Sequence, residues 1–441
     1  MEFKQYPSYK PSGVEWLDDV PEHWSLKRFY YLFTENKKKN IGLKETNVLS
    51  LSYGNIKEKN IDDNKGLLPE SFETYQIIKP NDIVFRFTDL QNDKRSLRSA
   101  ISKYHGIITS AYIAVKTKQN ADFYNYLFRA YDLQKVFYSM GEGMRQSLKM
   151  DELNKMPVVL PSEDEQKRIV SFLDTETTRI DKLISKQEKL IELLEEQRKS
   201  IISHAVTKGL NPNALMKDSG VEWLGRVPCD WQYYSIKRTI KVLTDYTANG
   251  SFADLAKNVN YLDYGFSRLV RLTDLREDLN NNGVYITEDA HKYLKKSELF
   301  GGELLLANVG AYAGFACLMP YKKIKATLAP NMFLLRFKEQ RINNKFMYYL
   351  INSKTIQYQF QVSMTSTAQP KLNKDNVKNI VMFLPTLQIQ NEIVEYLDSE
   401  NLILDNLIFK QQALIEKLKE YRASIISHAV TGKIDVREHM A

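Results

Sequence analysis

The chain has 441 residues, 43% hydrophobic and 11% aromatic, enough apolar matter for real cores and too long for one, which excludes a disordered chain and leads us to expect two to four domains. Two cysteines, Cys229 and Cys317, lie in one half without metal-type spacing, so neither a disulfide framework nor a cysteine zinc site is expected. A formal charge of +8 permits an anionic partner such as nucleic acid. The start, Met1-Glu2-Phe3-Lys4-Gln5, carries no apolar signal stretch, and no run of about 18 apolar residues predicts a membrane span, so a cytoplasmic location is expected.

In chain order, the first element is a phrase bearing two tryptophans: Val14-Glu15-Trp16-Leu17, Val20-Pro21, Trp24, then Lys27-Arg28. Strands are predicted at Val48 to Ser52, Asp82 to Phe87 and Ile107 to Val115, then a Tyr- and Phe-rich helix from Phe123 to Met140. A polar loop, Gly141 to Lys149, leads to the apolar run Val158-Val159-Leu160-Pro161 and a long helix from Gln166 to Thr207. The phrase then returns as Val221-Glu222-Trp223-Leu224, Val227-Pro228, Trp231 and Lys237-Arg238. Strands at Arg268 to Leu272, Glu303 to Leu306 and Ala326 to Phe337 precede a helix from Asn344 to about Gln361. A second polar loop, Ser363 to Leu372, runs to Val381-Met382-Phe383-Leu384-Pro385 and a second long helix. Both long helices close on Ser-Ile-Ile-Ser-His-Ala-Val-Thr, at 200–207 and 424–431. The chain is two like halves in tandem, with repeated frames around two divergent inserts.

The long helices carry one apolar seam written twice. Ile169, Leu173, Ile180, Leu183, Leu190, Leu194 and Ile201 are spaced by three, four and seven and recur as Ile393, Leu397, Leu404, Leu407, Leu414, Leu418 and Ile425. Gln187 and Gln411 are matched polar seam positions, which cost stability and specify register. The charges between them read as a solvated face. The 42 residues from Gln166 to Thr207 would span roughly 63 Å at about 1.5 Å per residue. Such a helix needs a partner, either its own copy, antiparallel within the chain, or a second chain in a parallel coiled coil.

Candidate nucleic-acid contacts lie in the loops after the insert helices: Arg145, Gln146 and Lys149 in the first half, Gln369 and Lys371 in the second. Their side chains suit base edges and phosphates, but a plain helix-to-strand connection accounts for the same composition. Charge and loop placement add Arg86, Lys94, Arg95, Arg98, Arg271, Arg276 and Tyr312 as weaker candidates, for which a solvated surface is the simpler account of each basic cluster taken singly. No GxxxxGK[ST] loop, HExxH or CxxC pair occurs, nor an Asn-Pro-Pro-aromatic tetrapeptide; the nearest is Asn211-Pro212-Asn213. His204 and His428 read as structural, and His23, His105, His291 and His439 show no triad-like spacing. The pattern describes a binder that supplies no chemistry of its own; no catalytic residue and no metal site is assigned.

The phrase Ser12-Gly13-Val14-Glu15-Trp16-Leu17, Val20-Pro21, Trp24 and its copy, the Leu-Pro…Gln…Ile helix entries and the Ser-Ile-Ile-Ser-His-Ala-Val-Thr closes resemble type I restriction–modification specificity (S) subunits over essentially the whole chain. The insert interiors are outside that likeness, since in such proteins they vary with the DNA read. The resemblance implies an α+β fold: two mixed α/β target recognition domains joined by two long helices that pair as an antiparallel coiled coil, a pseudo-two-fold internal repeat. The expected divisions are a first recognition domain at 1–158, a helix and linker at 159–213, a second recognition domain at 214–382, and a second helix with tail at 383–441. It implies recognition of a split site in double-stranded DNA, with the helices setting the spacer. It also implies docking of two methyltransferase and two restriction/translocase subunits, partly on the outer helix faces and the Trp-bearing segments. No cofactor is expected on this chain; S-adenosylmethionine, ATP and Mg belong to the partners. A stand-alone DNA-binding regulator and an enzyme with hidden catalytic residues remain the alternatives.

Overall fold

Each Trp-bearing phrase folds into a small two-stranded clasp. In the first, Tyr9–Pro11 pairs antiparallel with Asp19–Pro21. The Ser12 hydroxyl accepts the Val14 amide at 3.0 Å, and Gly13 takes φ 69°, the left-handed region a glycine enters without steric cost. The second repeats this with Met216–Asp218 on Arg226–Pro228, Ser219 accepting from the Val221 amide at 3.1 Å, and Gly220 at φ 70°. The computed structural model describes residues 3–60, 69–88, 97–140, 147–364 and 369–438, and the chain divides into two units: 1–188 with 411–441, and 189–410.

In the first unit a four-stranded antiparallel sheet runs in the order Phe33–Glu35, Ile113–Thr117, Ile83–Phe85, Ser99–Ile101. Beside it, the hairpin Leu49–Ser52/Asn55–Glu58 is bridged in parallel, Val48 to Ile107, to the pair Gly106–Ile108/Gln76–Ile78. The helix Ala121–Leu133 closes an aromatic core in which Phe29 stacks on Phe33 at 4.3 Å and Phe85 meets Phe128 edge-on at 5.0 Å.

The second unit has the same plan. Its antiparallel sheet is ordered Ile240–Asp245, Met332–Phe337, Leu304–Ala307, Ala316–Leu318. Its second sheet is Val284–Ile286, Ser267–Val270, Ala326–Leu328, Glu298–Leu299, with the parallel contact again between the two middle strands. Two inserts with little common sequence thus share one order of strands, which explains how divergent letters keep one frame: core positions need only be apolar and of suitable size.

Two expectations are corrected, and at the same places in both halves. The predicted strands Ile107–Val115 and Ala326–Phe337 each divide into two strands in different sheets, at Thr109–Tyr112 and at Ala329–Asn331. Pro330-Asn331, with Asn331 at φ 67°, is the turn signal that marks the second corner. The predicted helices at 123–140 and 344–361 also each divide in two, at Gln134-Lys135, where Lys135 takes φ 63°, and at Asn352-Ser353.

The long helices span Glu163–Lys208 and Leu387–Val430. Each entry is locked by a glutamine. Gln166 donates to the Pro161 carbonyl at 3.0 Å and accepts the amide of Asn120, the N-cap of the insert helix. Gln390 does the same with Pro385 and Asn343. Within the first unit Asp181 of the first long helix pairs with Arg422 of the second at 3.1 Å, and Arg168, nearer the start of the first, bonds the Arg437 carbonyl in the tail beyond Val430, the order of an antiparallel pair. Within the second unit Arg198 bonds Asp405 at 2.6 Å, and Leu194 shares a core with Leu404 and Ile408.

The seam phase differs from the expected one in mid-helix. Ile169, Leu173, Ile180, Leu194, Ile393, Leu397, Leu404 and Ile425 are buried, and Leu183, Gln187, Gln411 and Leu418 half-buried. Leu190, Leu407 and Leu414 are 39%, 38% and 40% exposed, while Ile408 and Ile415 are buried and Ile184 and Ile191 half-buried. The sequence offers apolar neighbours, Leu183-Ile184 and Leu190-Ile191, that both satisfy a heptad; the seam follows steps of four then three from Ile180. The repeated closes are explained by tryptophan. Ala205 and Val206 pack with Trp231 in the second unit, and Ala429 and Val430 with Trp24 in the first. Trp24 and Trp231 are therefore core residues, whereas Trp223 is exposed.

Candidate nucleic-acid interface

The second unit brings four of the sequence candidates together. The turn at Asn308–Gly314 is zipped to the stretch after the insert helices: Val309 bridges Lys371, the Gly310 amide donates to Pro370 at 2.9 Å, and the Leu372 amide to Asn308 at 2.9 Å. Leu372 is fully buried and pins this zip to the core, leaving Gln369 and Lys371 exposed. Tyr312 projects from the turn, half exposed, and the Arg276 guanidinium lies over its ring at 3.8 Å. Arg276, Tyr312, Gln369 and Lys371 thus form one surface offering N–H donors, a phenol and a cation, the groups that hold phosphates and read base edges.

Arg271 plays another part. The short helix Leu272–Arg276 is held at its start by Asp274, which accepts from the Arg271 amide at 2.9 Å and from its guanidinium at 2.8 and 3.1 Å. Asp274 is fully buried; burial alone would raise its pKa, but hydrogen bonds from Arg271 and Asn281 outweigh this and hold it below the ordinary carboxylate value. Buried Arg268 donates to Leu279 and Asn281 and lies 3.6 Å from the same carboxylate. Both arginines are thereby spent on building the loop that presents Arg276. Burial pushes the neighbouring Cys317 thiol up to about 11, against the pull of the Arg276 charge.

In the first unit the candidates separate. Arg98 is 0% exposed: its amide donates to Asp132 at 2.9 Å and its guanidinium to the Thr88 carbonyl at 3.2 Å, so it belongs to the interior. Burial raises the Asp132 pKa. Arg86 is half-buried beside it, its amide bonded to the Arg98 carbonyl. Lys149 is exposed, its amide capped by Glu152 at 2.6 Å. Lys94, Arg95, Arg145, Gln146 and His439 lie outside the described residues. Tyr53, which charge and loop composition do not single out, stands at the tip of the Leu49–Glu58 hairpin and is 73% exposed. Tyr53 and Gly54 both take positive φ (47° and 72°), and Arg129 bonds the Gly54 carbonyl at 2.6 Å, making the tip rigid. Tyr-Gly between two alternating apolar runs was the available signal.

Among the described residues no group of three or more His, Cys, Asp or Glu is arranged to hold a metal ion, and no helix is long and apolar enough to cross a membrane.

The comparisons with known proteins agree with this architecture. The MjaVIII specificity subunit of a type I restriction enzyme from Methanocaldococcus jannaschii is 26% identical over 75% of either chain. The putative MjaX specificity subunit of the same organism is 20% identical over 99% of either. Among solved structures, a chain described in work on complex assembly and conformational transition of the type I R-M system superposes with a TM-score of 0.67 at 14% identity, covering 93% of this chain and 98% of that one. The HsdS subunit from Thermoanaerobacter tengcongensis follows at 0.53 and 14%, covering 94% and 98%. These likenesses carry the fold: two mixed α/β domains with long helices. The sequence model described as the type I restriction modification DNA specificity domain matches residues 100–193 and 230–419, more than half of the chain, and the chain belongs to that family.

Proposed function

We propose that this chain is the DNA sequence-specificity subunit of a type I restriction–modification system, reading a split site in double-stranded DNA and contributing no catalytic residue of its own. One observation carries the reading: a single two-sheet frame is built twice, with different side chains at its exposed turns. One such surface carries Arg276, Tyr312, Gln369 and Lys371; in the other frame Tyr53 stands exposed at a hairpin tip. Two readers of one plan suit two unlike half-sites, and base contacts worth roughly 1–3 kcal/mol each give each half its own selectivity. Paired antiparallel, the long helices act as a spacer that sets the number of unread base pairs. The exposed helix faces, with Leu190, Leu407, Phe409 and Leu414, are available to methyltransferase subunits. Two of these and two restriction/translocase subunits complete the complex in the cytoplasm, bringing S-adenosylmethionine, ATP and Mg.

Co-expression with the adjacent methyltransferase gene, followed by single-molecule mapping of N6-methyladenine, tests the reading. A split motif methylated only when both proteins are present is the expected result. Methylation without this chain, or none with it, would overturn it.

A further inference from the structure

Several cationic side chains of the second unit are held by carboxylates. Arg268 and Arg271 converge on Asp274, Arg336 on Glu303, and Lys374 on Asp245. Arg276 differs: among the described residues no hydrogen bond or ion pair engages its guanidinium, and its contact is the face of Tyr312 at 3.8 Å. A guanidinium stacked by its face keeps its edge donors free and their plane oriented. Both sides of the stack are braced. Tyr312 sits in a turn closed by Ala313 to Gly310 and Phe315 to Tyr312 at 2.9 Å, with the Gly314 carbonyl held by Gln357 at 2.7 Å. Arg276 ends the helix that Asp274, Arg271 and Arg268 anchor.

We infer that Arg276, oriented by Tyr312, is a specificity-determining residue of the second half-site and reads a guanine there. The inference rests on the DNA-reading function proposed above. Guanine presents two acceptors, N7 and O6, on its major-groove edge, which match two parallel N–H donors of an arginine fork. Adenine offers N7 with an N6 amino donor beside it, so the same fork meets a donor and is rejected. A phosphate would also accept both N–H groups, but it would not need the fork held over an aromatic ring; nearby Lys371, an exposed point charge, suits that task. Tyr312 is the positioning residue, acting through Arg276.

The test starts from the methylation motif of the wild-type complex. With Arg276→Ala the second half-site should lose its demand for guanine at one position while the first half-site keeps its sequence. Tyr312→Leu should relax the same position, and Tyr312→Phe, which keeps the ring, should restore it. The unmodified complex is also titrated with duplexes of the mapped motif carrying 7-deazaguanine at each second-half guanine in turn. Removing N7 at the recognised guanine should weaken binding roughly 10-fold, and the Arg276→Ala complex should not feel that change. The wild-type duplex titration can refute the inference with no variant, and Tyr312→Leu, which should blunt the same 7-deazaguanine effect, carries the assignment if Arg276→Ala folds poorly. A uniform fall in methylation with an unchanged motif would place Arg276 on phosphate and overturn the inference, as would indifference of the wild-type complex to 7-deazaguanine everywhere in that half-site. A wild-type complex with no split motif would instead overturn the DNA-reading function, and this assignment with it.

Discussion

Asp274→Ala removes the carboxylate on which the loop carrying Arg276 is built. Arg268 is almost fully buried and would keep its bonds to Leu279 and Asn281 while losing its compensating charge. Removing one partner of a buried ion pair costs roughly 3–5 kcal/mol. The pair is at 3.6 Å rather than in contact, and carbonyl bonds remain, so the lower end applies. Arg271 is 41% exposed and its share is small after solvent screening. The expected loss is therefore about 3 kcal/mol, or roughly 100-fold faster amide exchange where opening is local. Hydrogen-exchange mass spectrometry should show it in peptides covering Ser267 to Ile286, with Tyr9 to Ile180 unchanged. Replacing both partners by apolar residues, Arg268→Met with Asp274→Leu, should regain more than half. Unchanged exchange around Ser267 in the single variant would refute the reasoning, and so would a double variant no better than the single one.

Acid should act on the same carboxylate. Its folded pKa is lowered from 3.8, so its stabilisation is complete above that value and lost as pH falls through the lower folded one. The stability gap between wild type and Asp274→Ala should accordingly stay constant at neutral pH and close below about pH 3.8, measured by urea unfolding. The seam phase is tested by neighbours: Ile408→Ala should cost roughly 2–4 kcal/mol and Leu407→Ala well under half of that, read from thermal melts. Equal losses would return the seam to the other phase. Adding one heptad to each long helix, about 10.5 Å of rise, should widen the unread spacer by roughly 3 base pairs and leave both half-sites as they were. Methylation mapping reads the outcome directly, and an unchanged spacer removes the ruler.

Periodicity carried most of the fold. The two long helices were legible because seven-residue spacing over forty residues has no competing explanation, and the Trp phrases because they are written twice. What misled was local. Ile107 to Val115 reads as one strand because Thr109-Ser110-Ala111-Tyr112 carries neither glycine nor proline, yet the chain turns there to enter a second sheet. Leu190 and Ile191 are interchangeable on paper, and only the packing partner selects Ile191. The tryptophans were legible as a repeat but not as core, because the residues that cover Trp24 and Trp231 come from helix ends distant in sequence or beyond a linker.

The same logic separates the arginines. Charge and loop position placed Arg98, Arg271 and Arg276 in one class, since a sequence counts cations without their partners. The structure divides them by carboxylates: Asp132 lies against the Arg98 backbone, Asp274 takes the guanidinium of Arg271, and Arg276 is left with a tyrosine face. A buried cation without a partner is too costly to keep, so a cation with a buried acid beside it is spent on structure. A cation braced on an exposed ring has its donors in hand for something outside the chain. On the proposed function Arg276 does the reading and its neighbours do not: Tyr312 holds its guanidinium and Asp274 anchors its helix, while in the other unit Arg129 bonds the hairpin tip beside exposed Tyr53. Changing Arg276 should alter which sequence is read and leave the frame standing, whereas changing Asp274 should loosen the loop that carries it.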